Sequence, residues 1–341
     1  MNSKRILYFD ALKILAAYFV ILLHVTAEQY YTYTYDLSWY INYGYNALSR
    51  WAVPVFCMVT GALMLSRELS ISAVFKKSIL RIALILFFWG MYYWLVPSMD
   101  FSLPKIWEAF RSLISGKAYS HLWYLYMLLG FYIVAPLLSI ITKNASKRTI
   151  EYFLAVLFAA SFVIPSLSKQ IPFLSGLLSS LKFSFVGQYL LYFLAGYYLN
   201  NYRWKKWTQI LYACLGIALL IGTAVGYSGI YSMRTGTENG LPSIIIVLGA
   251  TSIFVLFQLM EPVLFVRKPF SSVIGFVSPL TFGIYLLHFR VEKRLLAAGI
   301  HSCMIDPILG APLVSLAIFI ITAVIVWVIT RIPVVRRLVN A

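Results

Sequence analysis

Apolar stretches about as long as a bilayer is thick recur from the first residues almost to the last, each followed by a short polar segment. A spanning helix needs about 20 apolar residues, and on that measure the pattern predicts ten spans. They run approximately from 6 to 27, 46 to 65, 79 to 97, 121 to 142, 150 to 167, 183 to 200, 208 to 227, 242 to 260, 272 to 289 and 309 to 330. The sixth is the least sharply bounded, because residues 174 to 200 form one long apolar stretch that contains Lys182 and also suits a re-entrant piece. No fixed-period repeat or low-complexity segment interrupts the series. The expectation is an all-α polytopic membrane protein, with residues 1 to 341 forming a single membrane domain and no soluble domain.

The polar segments test the spans, because cytoplasmic loops are enriched in Lys and Arg. With the N-terminus inside, one side receives Lys4, Arg5, Arg67, Lys76, Lys77, Arg81, Lys143, Lys147, Arg148, Arg203, Lys205, Lys206, Arg267, Lys268, Arg331, Arg336 and Arg337. The other side receives fewer, chiefly Arg50, Lys105, Arg111, Lys117, Lys169, Lys182, Arg234, Arg290, Lys293 and Arg294. Both termini are therefore predicted cytoplasmic, in a multi-pass protein of the cell (inner or plasma) membrane. Two outer loops stand out. Residues 30 to 45, YYTYTYDLSWYINYGY, read as an interfacial aromatic belt whose rings could also stack on sugars. In residues 104 to 117, Ile106, Phe110, Leu113 and Ile114 fall at helical spacing opposite Lys105, Glu108 and Arg111, which predicts an amphipathic helix lying in the interface.

Composition agrees with this picture. The chain is 61% hydrophobic and 11% charged, with a mean hydropathy of +0.83, against roughly 25% charged residues in a soluble domain. A net charge of +17 would suit a nucleic-acid partner, but the basic residues sit in short clusters between spans and not on one solvated face, so membrane lipids are the expected surroundings and nucleic acid is not. Cys57, Cys214 and Cys303 lie far apart without the spacing of a metal site, so no metal is expected and the thiols read as packing residues. The N-terminal apolar run, broken by Asp10 and Lys13 and lacking a small-residue cleavage signature, should persist as the first helix.

That first helix carries the chemistry. Asp10, Lys13 and His24 lie inside a span where each ionisable group costs at least about 2.5 kcal/mol unless paired or hydrated. At 100° per residue Lys13 and His24 are about 20° apart around the axis, and Asp10 is roughly 60° from Lys13, so all three share a face. Along the axis Lys13 and His24 are about 16 Å apart, too far to touch but placed to line one channel. The plainer reading is an interfacial Asp10–Lys13 pair with the lysine snorkelling and His24 at the opposite interface. Against it stands the shared stripe, and His121 and His288 are expected near the depth of His24. Glu28, one turn beyond His24, could accept a hydrogen bond from the imidazole and fix its tautomer; a plain loop glutamate is the alternative. His301, in the last outer loop, is given no role.

The segment DALKILAAYFVILLH resembles the opening helix of the acyltransferase 3 family of membrane O-acyltransferases, whose signature is a basic residue, ten others and a histidine: here Lys13 and His24, preceded by Asp10. Further segments resemble the family in its order: SRWAVPVFCMVTGALML (Arg50, Pro54, Gly61), HLWYLYMLLGFYIVAP (His121, Trp123, Pro136), YFLAGYYL (Gly196) and SPLTFGIYLLH (Gly283, Tyr285, His288). Where the family usually has arginine this chain has Lys13, which keeps the charge without the planar fork of a guanidinium. The resemblance implies transfer of an acyl group, most often acetyl from acetyl-CoA, to a hydroxyl of a cell-surface glycan or its lipid-linked precursor. It implies His24 as general base or acyl carrier, with Asp10 and Lys13 in the catalytic group. Lys13, with Arg50 as second cation, would polarise the thioester carbonyl or hold a CoA phosphate. Arg81 and its neighbours Arg67, Lys76 and Lys77 would receive the nucleotide, although topology alone accounts for that cluster. Arg50, His121, Trp123, Tyr285, His288 and Glu28 would meet substrate. A secondary transporter or glycan flippase is the competing class, since a charged face and the midmembrane prolines Pro54, Pro136 and Pro279 also suit substrate passage.

Overall fold

A helix apolar on all sides must bury itself in lipid or among other helices, and α1 (Leu7–Tyr30) does the second. Tyr8, Leu12, Ala16, Ile21 and Val25 are buried along its length. In the computed structural model, which describes residues 5–31, 34–165, 167, 188–235, 241–333 and 335–339, α1 is the hub. It packs against α2 (Leu37–Ser49), α3 (Ala52–Leu65), α10 (Ser243–Met260), α11 (Phe270–Val277), α12 (Thr281–Ala297) and α13 (Pro307–Thr330). The remaining helices are α4 (Leu80–Leu95), α5 (Leu103–Ile114), α6 (Trp123–Asn144), α7 (Lys147–Phe158), α8 (Gln188–Asn201) and α9 (Lys206–Gly222). Widened π turns enter α4 at Phe75–Ile79, and extend α7 through Ala159–Val163, α9 through Thr223–Tyr231 and α10 through Glu261–Phe265.

No strand occurs among the described residues, and the fold is all-α and polytopic, as the apolar pattern predicts. Seven helices among the described residues are long and apolar enough to cross a bilayer: Leu7–Gln29, Leu37–Leu65, Trp123–Asn144, Lys206–Thr235, Ser243–Phe265, Phe270–Ala297 and Pro307–Thr330. Of the other three expected spans, residues 79 to 97 hold the 16-residue α4, residues 150 to 167 begin in α7, and residues 183 to 200 are represented by α8. Residues 168–187 lie outside the described residues. Rows of large apolar side chains point outward, Leu211, Leu215 and Leu219 on α9 and Leu313, Leu316, Ile320 and Val324 on α13, as lipid-facing surfaces require.

The segment expected as an outer aromatic loop is corrected by the structure. From Leu37 onward it is helix, so the second crossing begins nine residues before its expected start at 46 and breaks only at Arg50 and Trp51. Asp36 caps α2 by accepting from the Trp39 amide at 2.7 Å, which satisfies a first-turn N–H. Trp39 is then buried and stacks on Tyr43 at 4.9 Å. Average hydropathy counts tyrosine and asparagine as polar, whereas here Tyr40, Asn42, Tyr43 and Asn46 are buried. The amphipathic helix expected there is present: α5 buries Ala109 and Leu113 against α4 and carries a Lys105–Glu108 pair at 2.8 Å. Ile114, expected on its apolar face, points outward.

Candidate active site

The first turns of α1 meet the Ser278–Leu280 turn between α11 and α12, and Asp10 sits at that junction. Its buried carboxylate accepts from the Lys13 ammonium at 2.7 Å, from the Ser278 hydroxyl at 2.7 Å, and from the Arg5 guanidinium. A carboxylate so occupied compensates its own burial. It also holds Lys13 in place, and Lys13, but not Asp10, lines a cavity of about 220 Å³ together with His24, Thr60, Tyr132, Thr281 and Tyr285.

A second cavity, of about 600 Å³, lies toward the other end of α1, lined by His24, Glu28, Tyr31, Asn46, Arg50, Tyr189 and Tyr192 among others. His24 therefore faces both, and Val20, Val53 and Trp123 line both as well. Lys13 and Arg50, the two cations expected at the thioester carbonyl or a CoA phosphate, line different cavities, because Arg50 follows α2 and Lys13 lies in the opposite half of α1. The Arg50 guanidinium donates to Asn46 Oδ1 at 3.2 Å, and Asn46 in turn donates to the Leu23 carbonyl at 3.0 Å.

Three imidazoles gather where the cavities meet. The ring of His24 is 5.3 Å from that of His288, which is 5.4 Å from that of His121. Phe289 stacks on His121 at 5.3 Å and presents its edge to His24 at 5.6 Å. His288 Nδ1 lies 2.7 Å from the Tyr285 carbonyl and 3.2 Å from that of Ile284. A carbonyl only accepts, so the ring hydrogen is on Nδ1 and, in the neutral ring, Nε2 keeps its lone pair. That Nε2, and both ring nitrogens of His121, are buried without a partner. The Tyr285 hydroxyl donates to the His121 carbonyl at 2.7 Å and ties α12 to the start of α6. Despite the histidines, no group of three or more metal-ligating side chains is placed to hold a metal ion among the described residues.

Glu28 does not meet His24. Its carboxylate takes the Lys293 ammonium of α12 instead, because a full charge at the end of α1 outcompetes a neutral ring for the same lone pair. Trp123 stands at the junction with its ring 5.4 Å from Tyr189. Arg81 lines neither cavity; it and Arg67 lie within electrostatic reach of the Tyr132 hydroxyl on the wall of the Lys13 cavity. One ionisable residue was missed. Glu292, one turn beyond His288, is buried with neither carboxylate oxygen partnered, beside a void of about 10 Å³ that Glu28 and His301 also line. Its position four residues from His288 was the available signal, hidden because the expected span stopped at 289.

A helical membrane protein whose central helix brings an ammonium and an imidazole to two cavities with shared walls is equipped for chemistry among its helices. The family model described as an acyltransferase domain, that of acyltransferase 3, matches residues 6–331. The chain belongs to this family and is a membrane acyltransferase. No curated protein and no solved structure matches it.

Proposed function

We propose that the protein is an O-acyltransferase, taking an acyl group, first of all acetyl, from acyl-CoA and delivering it to a hydroxyl of a cell-surface glycan or its lipid-linked precursor. One observation carries this reading: His24 lines both cavities, so a thioester entering from the Lys13 end and a sugar entering from the Arg50 end would meet at one imidazole. A sugar hydroxyl is a weak nucleophile until its proton is removed, and a neutral imidazole with a free ring nitrogen can take that proton. His24 takes the hydroxyl proton as the new C–O bond forms; the C–S bond breaks, and the proton passes from His24 to the departing thiolate. Lys13, held by Asp10, offers positive charge to the carbonyl oxygen or to a CoA phosphate.

The sides follow from charge. The basic cluster of Arg67, Lys76, Lys77 and Arg81 assigns the Lys13 end to the cytoplasm, where acyl-CoA is found, and its cations suit the phosphates of the nucleotide. Both termini are then cytoplasmic and the membrane is the inner or plasma membrane. The aromatic wall of the other cavity, with Tyr31, Trp123, Tyr189 and Tyr192, suits the faces of sugar rings.

The test is thioester consumption by the purified protein in lipid vesicles, with acetyl-CoA as donor. Wild type should release CoA, and His24→Ala should abolish release while the protein still purifies as a folded species. Undiminished turnover in that variant would remove His24 from the chemistry. Two cavities meeting in midmembrane also suit a secondary transporter or glycan flippase, and glycan movement without thioester turnover would favour that class. A burst of CoA release without acceptor would mark an acyl-histidine and ping-pong kinetics.

A further inference from the structure

Four residues line both cavities: Val20, His24, Val53 and Trp123. They come from three helices, α1, α3 and α6, and make up the ring of side chains common to both cavities. His24 has a chemical task in the reaction proposed above and Trp123 also belongs to the aromatic wall of the larger cavity, whereas the two valines have no role assigned. We infer that Val20, Val53 and Trp123 form the wall that limits the length of the acyl group, so that only a short acyl chain can be transferred.

The inference rests on that reaction and follows from its geometry. Acyl transfer passes through a tetrahedral carbon with four substituents. The sulfur leaves toward the Lys13 cavity and the attacking oxygen arrives from the Arg50 cavity, so these two of the four tetrahedral directions point into the cavities. The oxyanion and the acyl chain must then project sideways, into the ring itself. One side of the ring is the His24 imidazole; the chain faces the valines and the indole.

These walls are stiff. Val20 and Val53 are β-branched residues on helices, a setting in which one χ1 rotamer dominates. Val20 stands one turn before His24 on α1 and is buried, and Trp123 is backed by Tyr189 at 5.4 Å. A rigid apolar wall cannot yield to added methylenes as a flexible one could, and one methylene too many in a fixed pocket is worth roughly 10- to 200-fold in kcat/KM.

The experiment measures kcat/KM for acetyl-, propionyl-, butyryl- and hexanoyl-CoA with the full-length protein in lipid vesicles, for wild type and for Val20→Ala, Val53→Ala and Val53→Ile. Wild type should fall about 10-fold or more between acetyl and butyryl. Each alanine variant should raise the butyryl-to-acetyl ratio by about 10-fold, and Val53→Ile should lower the propionyl-to-acetyl ratio further. Two alanine sites and an enlarging variant keep the test alive if one variant does not fold. An unchanged ratio in the valine variants, with acetyl-CoA still consumed, overturns the sieve and leaves the acyltransferase reading intact. A wild type that uses hexanoyl-CoA as well as acetyl-CoA also overturns it. A wild type that consumes no acyl-CoA overturns the reaction and the sieve together.

Discussion

Lys13 reaches its cavity because Asp10, three residues earlier and nearly one turn away, holds the ammonium while Ser278 and Arg5 satisfy the rest of that carboxylate. The pair is more than mutual neutralisation: the lysine keeps donors free for a bound group on its cavity side. If that charge holds a CoA phosphate at the Lys13 end, Lys13→Met should raise the KM for acetyl-CoA by about 10-fold or more. Lys13→Arg should retain a measurable fraction of that binding, since the charge survives. Equal loss in both variants would mean that geometry, not charge, is what Lys13 supplies. Glu292 presents the opposite case, a buried carboxylate with no partner for either oxygen. Burying such a group is costly, and Glu292→Met is expected to stabilise the folded protein by about 1 kcal/mol or more, read as a rise in the thermal midpoint in detergent. A fall in the midpoint would show that the carboxyl holds a structural partner such as water.

At the scale of elements, the close crossing of α3 and α8 fixes the walls of both cavities, since α3 carries Val53 and Thr60 and α8 carries Tyr189 and Tyr192. Gly61 and Gly196 make the crossing possible. A Cβ on Gly61 would lie 1.7 Å from the Phe193 carbonyl oxygen, and one on Gly196 would lie 1.9 Å from that of Met58. Backbone cannot step aside as a side chain can, so Gly61→Ala and Gly196→Ala should each cost about 3 kcal/mol or more and leave little monodisperse protein on size-exclusion chromatography. Gly130 on α6 has open space where a Cβ would go. Gly130→Ala should therefore be neutral or gain up to about 1 kcal/mol from helix propensity. Normal yield from the two crossing variants would refute the tight crossing. The face shared by Lys13 and His24 was legible in the sequence, because a single helix fixes angles between its own residues and an apolar span makes every charge conspicuous. The gathering of His121 and His288 beside His24 followed from matching their depths. The start of α2 was not legible, since buried tyrosine and asparagine score as polar, and the cavity junction was not legible because residues 20, 53 and 123 meet only through tertiary packing.

For the whole molecule, the reaction proposed above would solve a transport problem by chemistry. A CoA nucleotide carries several negative charges and a glycan many hydroxyls, and moving either through about 30 Å of hydrocarbon is prohibitive. In that reaction the two cavities, lined from opposite halves of α1 and sharing His24, would let both reactants stay on their own sides while only the acyl group passes the ring. This predicts a sidedness that labelling can read. With Cys57, Cys214 and Cys303 replaced, Ala27→Cys on the Arg50 cavity should react with a membrane-impermeant maleimide added outside intact cells. Thr60→Cys on the Lys13 cavity should react only in inside-out vesicles. Saturating acyl-CoA should protect Thr60→Cys and leave Ala27→Cys reactive, because the nucleotide cannot enter the ring. Labelling of both positions from the same side would mean one continuous vestibule, and would turn the protein from an enzyme working across the bilayer into one that works at a single face of it.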